Sequence, residues 1–539
     1  MHKAYIYRLM SLSASYETVD SAKPARAGRL ATLAEGFAWQ YRKIIWILIV
    51  AFYLLSFNAL WRPGPDSALY LSVARSIARG EGYVYLGEAH RMAYPGLPYL
   101  LAAVMSQAGE HAEAIALGIM LAMALTSLWL WNRLFSLIVS PGAAMIVTAI
   151  TAINFVTYRL AFEILTDMPF VLGTVMALLG ALLCGIAPAQ PLSSAARIAT
   201  SRERKIGWLL LPAGLLLCAV MRPTFYLLAA CILLAGIISA FRARRATALL
   251  GVLGVAGLIA AILFIVTAAD PRRAAIGSDI YEQAVSWHLT YAFNDITLPL
   301  YNAWQIVSPE LPTAYFGYSW SALGDPIIVA ILLSAASWIL WRWPLGLLWV
   351  ASTLLMQVIV EPVPRYMIPI VPLLALAWWQ TASRVSARFN GRASNLVVIV
   401  ALLIMAPNFF RSIGQVWIEQ YRRPFLTYYH QGNYAAISEM AELIRQRVPA
   451  DAVVITPEKT DRMFTYLADR WSIPPNEAIP ERLRDKQVWV VFGKGDPEWR
   501  TPLNPLVVIG PKEVETTARF RSRGPLVLRK ATWVKAPPP

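Results

Sequence analysis

What most constrains this chain is a repeated spacing: apolar runs of about 20 residues recur along it, separated by short segments rich in arginine. A helix rises 1.5 Å per residue, so about 20 residues cover the roughly 30 Å hydrocarbon core of a bilayer. Only 15% of the 539 residues are charged while 57% are hydrophobic, against about a quarter charged in soluble domains. Spacing and charge together predict a mainly α, polytopic transmembrane helical bundle. About eleven spans are expected, near 43–60, 112–135, 142–161, 168–187, 206–221, 223–241, 247–268, 324–341, 344–361, 366–383 and 395–411.

The net charge of +16 has a distribution that excludes a nucleic-acid surface as its purpose. Arg8, Lys23, Arg26, Arg29, Arg42 and Lys43 precede the first span, and every second gap thereafter is basic: Arg133, then Arg197 to Lys205, Arg242 to Arg245, Arg342, and Arg384 to Arg392. By the positive-inside rule those gaps and the N-terminus are cytoplasmic, and an odd span count puts the C-terminus outside. The first run lacks a small-residue cleavage pattern after it and reads as an uncleaved span. Cys184, Cys218 and Cys231 all sit in apolar runs without metal-type spacing, so they read as packing residues. No Walker loop, HExxH, GxSxG or CxxC motif is present, which argues against an ATP-driven pump or a zinc protease.

The predicted organisation is a cytoplasmic segment 1–42, a transmembrane module 43–411 with external loops at 61–111 and 269–323, an extracytoplasmic α/β domain 412–535, and a disordered end 536–539. In the first loop Leu69, Val73 and Ile77 follow Asp66 at four-residue spacing and Gly80 and Gly82 end the run, which predicts an amphipathic helix on the membrane surface. The apolar stretch after Tyr94-Pro95 to Met105 is too short to span and reads as a second half-embedded element. In the tail, Asp451 to Thr456, Gln487 to Phe492 and Leu506 to Gly510 are β-type runs, preceded by a helical period at Ile437, Met440, Ala441 and Ile444.

Ionisable side chains at the ends of spans are expensive near lipid, so a cluster on one side is a candidate site. On the external side stand Asp66, Glu163, Asp167, Arg222 and Arg365. Carboxylates beside arginines suit sugar transfer from a lipid phosphate: arginine holds the leaving phosphate bidentately, and a carboxylate takes the acceptor hydroxyl's proton as it attacks the anomeric carbon. Each residue also has a plainer reading. Asp66 after Gly-Pro can cap a helix, and Thr166-Asp167-Met168-Pro169 resembles a helix start. Arg222 and Arg365 can snorkel to headgroups. Glu163 reads first as the partner of Arg159, one turn earlier. His90 and His288, on external loops, can support a metal or phosphate site but lack spaced partners, so a divalent ion stays open.

These segments resemble the GT-C superfamily of membrane glycosyltransferases, in the branch of protein O-mannosyltransferases and the bacterial aminoarabinose transferase of lipid A. The resemblance is carried by Pro65-Asp66-Ser67-Ala68-Leu69-Tyr70, Tyr94-Pro95-Gly96-Leu97-Pro98, Glu163 to Phe170, Met221-Arg222-Pro223-Thr224, Pro364-Arg365-Tyr366 to Pro369, and Tyr466 to Arg470, in the family's order. It implies that Asp66 is the base of an inverting transfer and Asp167 an organiser of the donor site. It also implies that Arg222 and Arg365 contact the phosphate of a polyprenyl-phosphate-linked sugar donor. Ala93 and Tyr94 stand where the aminoarabinose branch has an acidic-basic pair, which makes nearby Arg91 a candidate phosphate contact. Asp66-Ser67 replaces the Asp-Glu of many protein mannosyltransferases, so a lipid, polysaccharide or protein acceptor stays open. A bacterial inner membrane is the expected location. The rival readings are a transporter or lipid flippase, and a non-catalytic scaffold whose tail binds a partner.

Overall fold

The computed structural model describes residues 29–61, 64–90, 94–193, 197, 199–243, 246–269, 290, 296–360, 362–421, 433–457, 460–494, 506–508, 514–519 and 524–533. Its helices are α1 Arg29–Gln40, α2 Arg42–Leu55, α3 Pro65–Ala78, α4 Gly96–Ala108, α5 Ala112–Ser136, α6 Pro141–Ile153, α7 Phe155–Leu160, α8 Asp167–Leu183, α9 Ser201–Met221, α10 Phe225–Ala243, α11 Ala246–Ala268, α12 Thr297–Gln305, α13 Leu311–Phe316, α14 Gly324–Leu340, α15 Pro344–Ile359, α16 Val371–Ser386, α17 Gly391–Tyr421, α18 Asn433–Arg447 and α19 Asp461–Ala468. Helical structure thus occupies each of the eleven expected runs. Gly96–Ser136, Ser201–Met221 and Gly391–Gly414 are long and apolar enough to cross a bilayer, while α1 and α2 form a pair bent by 75°. Of the other apolar helices, α6, α8, α14 and α15 are shorter, 10–17 residues. The stretch expected to end at Met105 as a separate half-embedded element runs instead through Gly109–His111 into α5.

One helix pair decides where a candidate side chain lands. α8 and α9 run antiparallel in close approach because glycines face the partner's backbone. A Cβ on Gly214 would sit 2.5 Å from Ala177 N and 2.6 Å from Gly173 O, and one on Gly180 would sit 2.6 Å from Leu211 N. Between helices at membrane depth, where water exclusion adds little, such contacts let packing and dispersion hold the pair. The first turn of α8, with Asp167, therefore meets the last turn of α9, which ends at Arg222.

The amphipathic helix predicted from Asp66 is α3, with Leu69 and Val73 buried against Tyr83 and with Ile77 and Tyr85 packed beside them. Gly80 and Gly82 take φ of 78° and 90° after it, a left-handed region open to glycine. Asp66 does not cap this helix. The N-cap is Gly64, whose N–H donates to Ser67 Oγ at 3.0 Å, so the Asp66 carboxylate is left for other work.

At the C-terminal end, β3 Val453–Ile455, β4 Trp471–Ile473, β5 Val488–Gly493, β6 Leu506–Val508, β7 Val514–Arg519 and β8 Pro525–Trp533 form a mixed sheet in the order β4-β3-β5-β8-β6, with β7 also on β8; β1 Val84–Tyr85 and β2 Glu88–Ala89 form a separate hairpin. The strands expected from the three apolar runs are β3, β5 and β6, whereas β4, β7 and β8 follow more polar sequence. Side chains of α18 and α19, among them Ile437, Met440, Ile444, Phe464 and Ala468, are buried in the same core as the helical bundle.

Candidate active site

Asp167 is 2% exposed, and Arg222 reaches its Oδ2 through Nη2 at 2.7 Å. Arg222 Nε donates to Thr166 Oγ1 at 2.8 Å. The threonine that sequence suggested as a helix start thus serves the arginine; it makes no side-chain cap. The guanidinium also lies 5.2 Å from the ring of Tyr366, and a desolvated cation gains from such a face.

Asp66 is held from two directions. Arg365, in the tight turn Pro364–Ile370, donates from Nη2 to Asp66 Oδ2 at 2.8 Å. Arg462, on α19, donates from Nη1 to Asp66 Oδ1 at 3.2 Å. Burial works against the charge on Arg365, but Asp167, the Tyr366 phenol and Asp66 outweigh it and hold its pKa above the ordinary arginine value. Arg365 therefore feels both carboxylates and ties their two halves of the site together.

Arg462 arrives because α19 is fastened to α3. Asp469, just past α19, accepts from Arg79 Nη2 at 2.8 Å and Arg75 Nη1 at 3.1 Å. Arg75 also donates to the Tyr466 carbonyl at 2.9 Å and stacks over the Tyr466 ring at 4.2 Å. The Tyr466 hydroxyl donates to Glu113. Burial opposes ionisation of Asp469, yet the Arg79 hydrogen bond and the two guanidinium charges keep its carboxyl below the ordinary range.

Asp66, Asp167, Arg222, Arg365 and Arg462 all line one cavity of about 280 Å³, with Tyr94, Tyr366 and apolar side chains from α8, α9 and α15. The volume is near the lower end of small-molecule sites. Charges on an apolar lining are poorly screened and act strongly on a bound ion. Asp325 offers a contrast. It is fully buried, but Ser308 and Ser319 hydroxyls and the Trp320 N–H satisfy it, which marks a structural carboxylate.

The other candidates separate from this cluster. Glu163 pairs with Arg159 at 2.7 Å and does not line the cavity. His90 is buried beside Tyr83 and Tyr85, also away from the lining. Arg91 and His288 lie outside the described residues. Among the described residues, no three His, Cys, Asp or Glu side chains gather into a group able to hold a metal ion. Arg462, Thr353 and Gln357 line the cavity without having been singled out from sequence. A glutamine and a threonine four residues apart in an apolar span were a readable signal; nothing local marks Arg462, which is 396 residues from Asp66.

A family model described as "Predicted membrane protein (DUF2079)" matches residues 182–501. The chain belongs to this family. The match takes in Arg222, Arg365 and Arg462, and the DUF2079 chain is an integral membrane protein. No curated protein matches it. Among solved structures, this DUF2079 protein is similar to ArnT from Cupriavidus metallidurans in the apo state, at 12% identity and a TM-score of 0.54 over 92% of this chain and 98% of that one. ArnT bound to undecaprenyl phosphate gives 12% and 0.53 over 93% and 100%. The archaeal oligosaccharyltransferase AglB from Archaeoglobus fulgidus, in complex with an inhibitory peptide and a dolichol-phosphate, gives 14% and 0.50 over 84% and 69%. The DUF2079 chain has the GT-C fold of these proteins.

Proposed function

We propose that this protein is a glycosyltransferase that moves a monosaccharide from a polyprenyl-phosphate carrier to an acceptor hydroxyl at the extracytoplasmic face of a bacterial inner membrane, with the N-terminus cytoplasmic and about eleven spans. The single observation carrying this reading is that two carboxylates and three arginines from across the chain line one cavity. The undecaprenyl phosphate in ArnT and the dolichol-phosphate in AglB, on the same fold, support a lipid-phosphate donor.

Charge balance supports the chemistry. Three guanidiniums against two carboxylates leave the lining with one net positive charge, which a singly charged phosphodiester neutralises. In the transfer, the acceptor oxygen attacks C1 of the sugar, its proton passes to Asp66, the C1–O bond breaks with inversion, and the carrier leaves as a phosphate monoester dianion. Neutralising Asp66 raises the lining to two positive charges as the phosphate gains its second negative charge, so balance persists along the reaction. A phosphate drawing Arg365 and Arg462 toward itself also releases Asp66 to act as base. Asp167 fixes Arg222 for the same phosphate.

The test is Asp66→Asn in purified protein, assayed for transfer from undecaprenyl-phosphate-linked monosaccharides. The expected result is a fall in kcat of about a hundredfold to ten-thousandfold with binding of undecaprenyl phosphate retained. Transfer at the wild-type rate refutes Asp66 as base.

A further inference from the structure

The cavity wall contains a second set of polar groups that the phosphate chemistry leaves unused. Trp349, Thr353 and Gln357 line it from α15 at four-residue intervals, a spacing that puts them on one helix face about 6 Å apart. They are 1%, 3% and 0% exposed. Trp349 Nε1, Thr353 Oγ1 and Gln357 Nε2 are buried without a hydrogen-bond partner in the protein, as is Thr224 Oγ1 after the end of α9. Gln357 is held by its other end, where Oε1 accepts from Val363 N–H at 3.0 Å.

A buried polar group without a partner is costly, and more so at membrane depth, where lipid offers none. Such groups beside one cavity therefore identify what belongs in it. A prenyl chain would leave all four unsatisfied. A polyhydroxylated ring would satisfy them, because indole and amide N–H groups only donate, threonine hydroxyls do both, and sugar hydroxyls both accept and donate. Gln357 is hydrogen-bonded to Val363, two residues before Arg365, and shares the cavity with the arginines, so a ligand whose phosphate met them would bring its ring against α15.

We infer that the α15 face, with Thr224 on the same cavity, is the subsite for the donor's sugar ring, and that it makes the protein read the sugar as well as the carrier. This rests on the donor reading above. It assigns Thr353 and Gln357 as specificity-determining residues and directs the prenyl chain elsewhere along the bundle.

The test compares binding of undecaprenyl phosphate with that of undecaprenyl phosphate bearing a hexose or a pentose, for wild type, Thr353→Val and Gln357→Met. Valine keeps the shape of threonine, and methionine keeps the length of glutamine while removing the amide donor and adding no charge to the cavity. Wild type is expected to bind at least one sugar-bearing carrier about tenfold tighter than the bare carrier, and each variant to lose most of that advantage while keeping its affinity for undecaprenyl phosphate, which also certifies its fold. Two outcomes overturn the subsite: a wild type indifferent to the sugar, as for a cavity holding water only, or variants that keep the full advantage. A wild type that fails to bind undecaprenyl phosphate at all refutes the donor reading instead.

Discussion

Arg462 is the sharpest place to perturb this site, because it belongs to the C-terminal α/β unit yet ends on a carboxylate of the helical bundle. Replacing it with alanine removes the 3.2 Å contact to Asp66 Oδ1 and leaves the 2.8 Å contact from Arg365 to Oδ2. The side chains of Arg462 and Asp66 are 27% and 34% exposed, so the pair itself contributes little to stability, about 1 kcal/mol or less. A charged hydrogen bond to a phosphate is worth more, about 1.5–3 kcal/mol, which corresponds to roughly tenfold to a hundredfold in affinity. Arg462→Ala is therefore expected to weaken undecaprenyl phosphate binding by that factor, measured on protein in nanodiscs, while the thermal unfolding midpoint moves little. Arg462→Lys restores charge without the planar fork and should recover only part of the loss. An unchanged affinity in the alanine variant refutes a phosphate role for Arg462. A large drop in unfolding midpoint would instead show that its work is structural.

Arg222→Ala strands the buried Asp167 carboxylate and is expected to destabilise the protein by about 3 kcal/mol in thermal unfolding; pairing it with Asp167→Asn should recover most of that. Burial lifts Asp461, beside Arg462, to a pKa of about 6, outweighing the opposing Arg462 charge. Because the folded value lies above the unfolded one, the group's contribution to stability is complete below about pH 4 and is lost as pH rises through 6. Hydrogen exchange of α19 should therefore slow as pH is lowered from 7 to 5, after correction for the intrinsic rate, and Asp461→Asn should flatten that dependence. Gly214→Val must separate α8 from α9, since even its Cβ lies 2.5 Å from Ala177 N; the yield of folded protein is expected to fall, with the surviving fraction losing the Asp167–Arg222 pair as seen by weaker carrier binding.

Much of the architecture was legible because a bilayer permits few solutions. Apolar runs must be helical to satisfy their backbone, and helices occupy the runs near 112–135 and 206–221 as Ala112–Ser136 and Ser201–Met221. The β-type runs at Val453 and Val488 are strands for a similar reason: their buried sheet positions demand branched apolar residues. β7 and β8 were hidden because Glu515, Arg519, Arg529 and Lys530 interrupt any apolar pattern. For the site, Asp66, Asp167, Arg222 and Arg365 converge as expected. The helix start read at Thr166-Asp167 is present as the first turn of α8, whereas the cap reading at Asp66 misled: Gly64 is the N-cap and its N–H goes to Ser67 Oγ. Arg462 depends on the docking of α19 onto α3, a long-range event with no local trace.

The pairing of carboxylates with arginines bears on where binding energy goes. With Arg365 and Arg462 on Asp66, an incoming phosphate must compete with a carboxylate for the same donors. If the proposed transfer holds, carrier affinity is then lower than three arginines would otherwise provide, and the difference is expected as a freed base beside the reacting carbon. Energy held back from ground-state binding and released as the base is uncovered acts on the transition state, the form of binding that raises kcat and not merely affinity. On this argument the C-terminal α/β unit does more than cover the site. Under the proposed function, delivery of Arg462 makes the base answer to the phosphate, so that deprotonation of an acceptor is tied to the arrival of the donor.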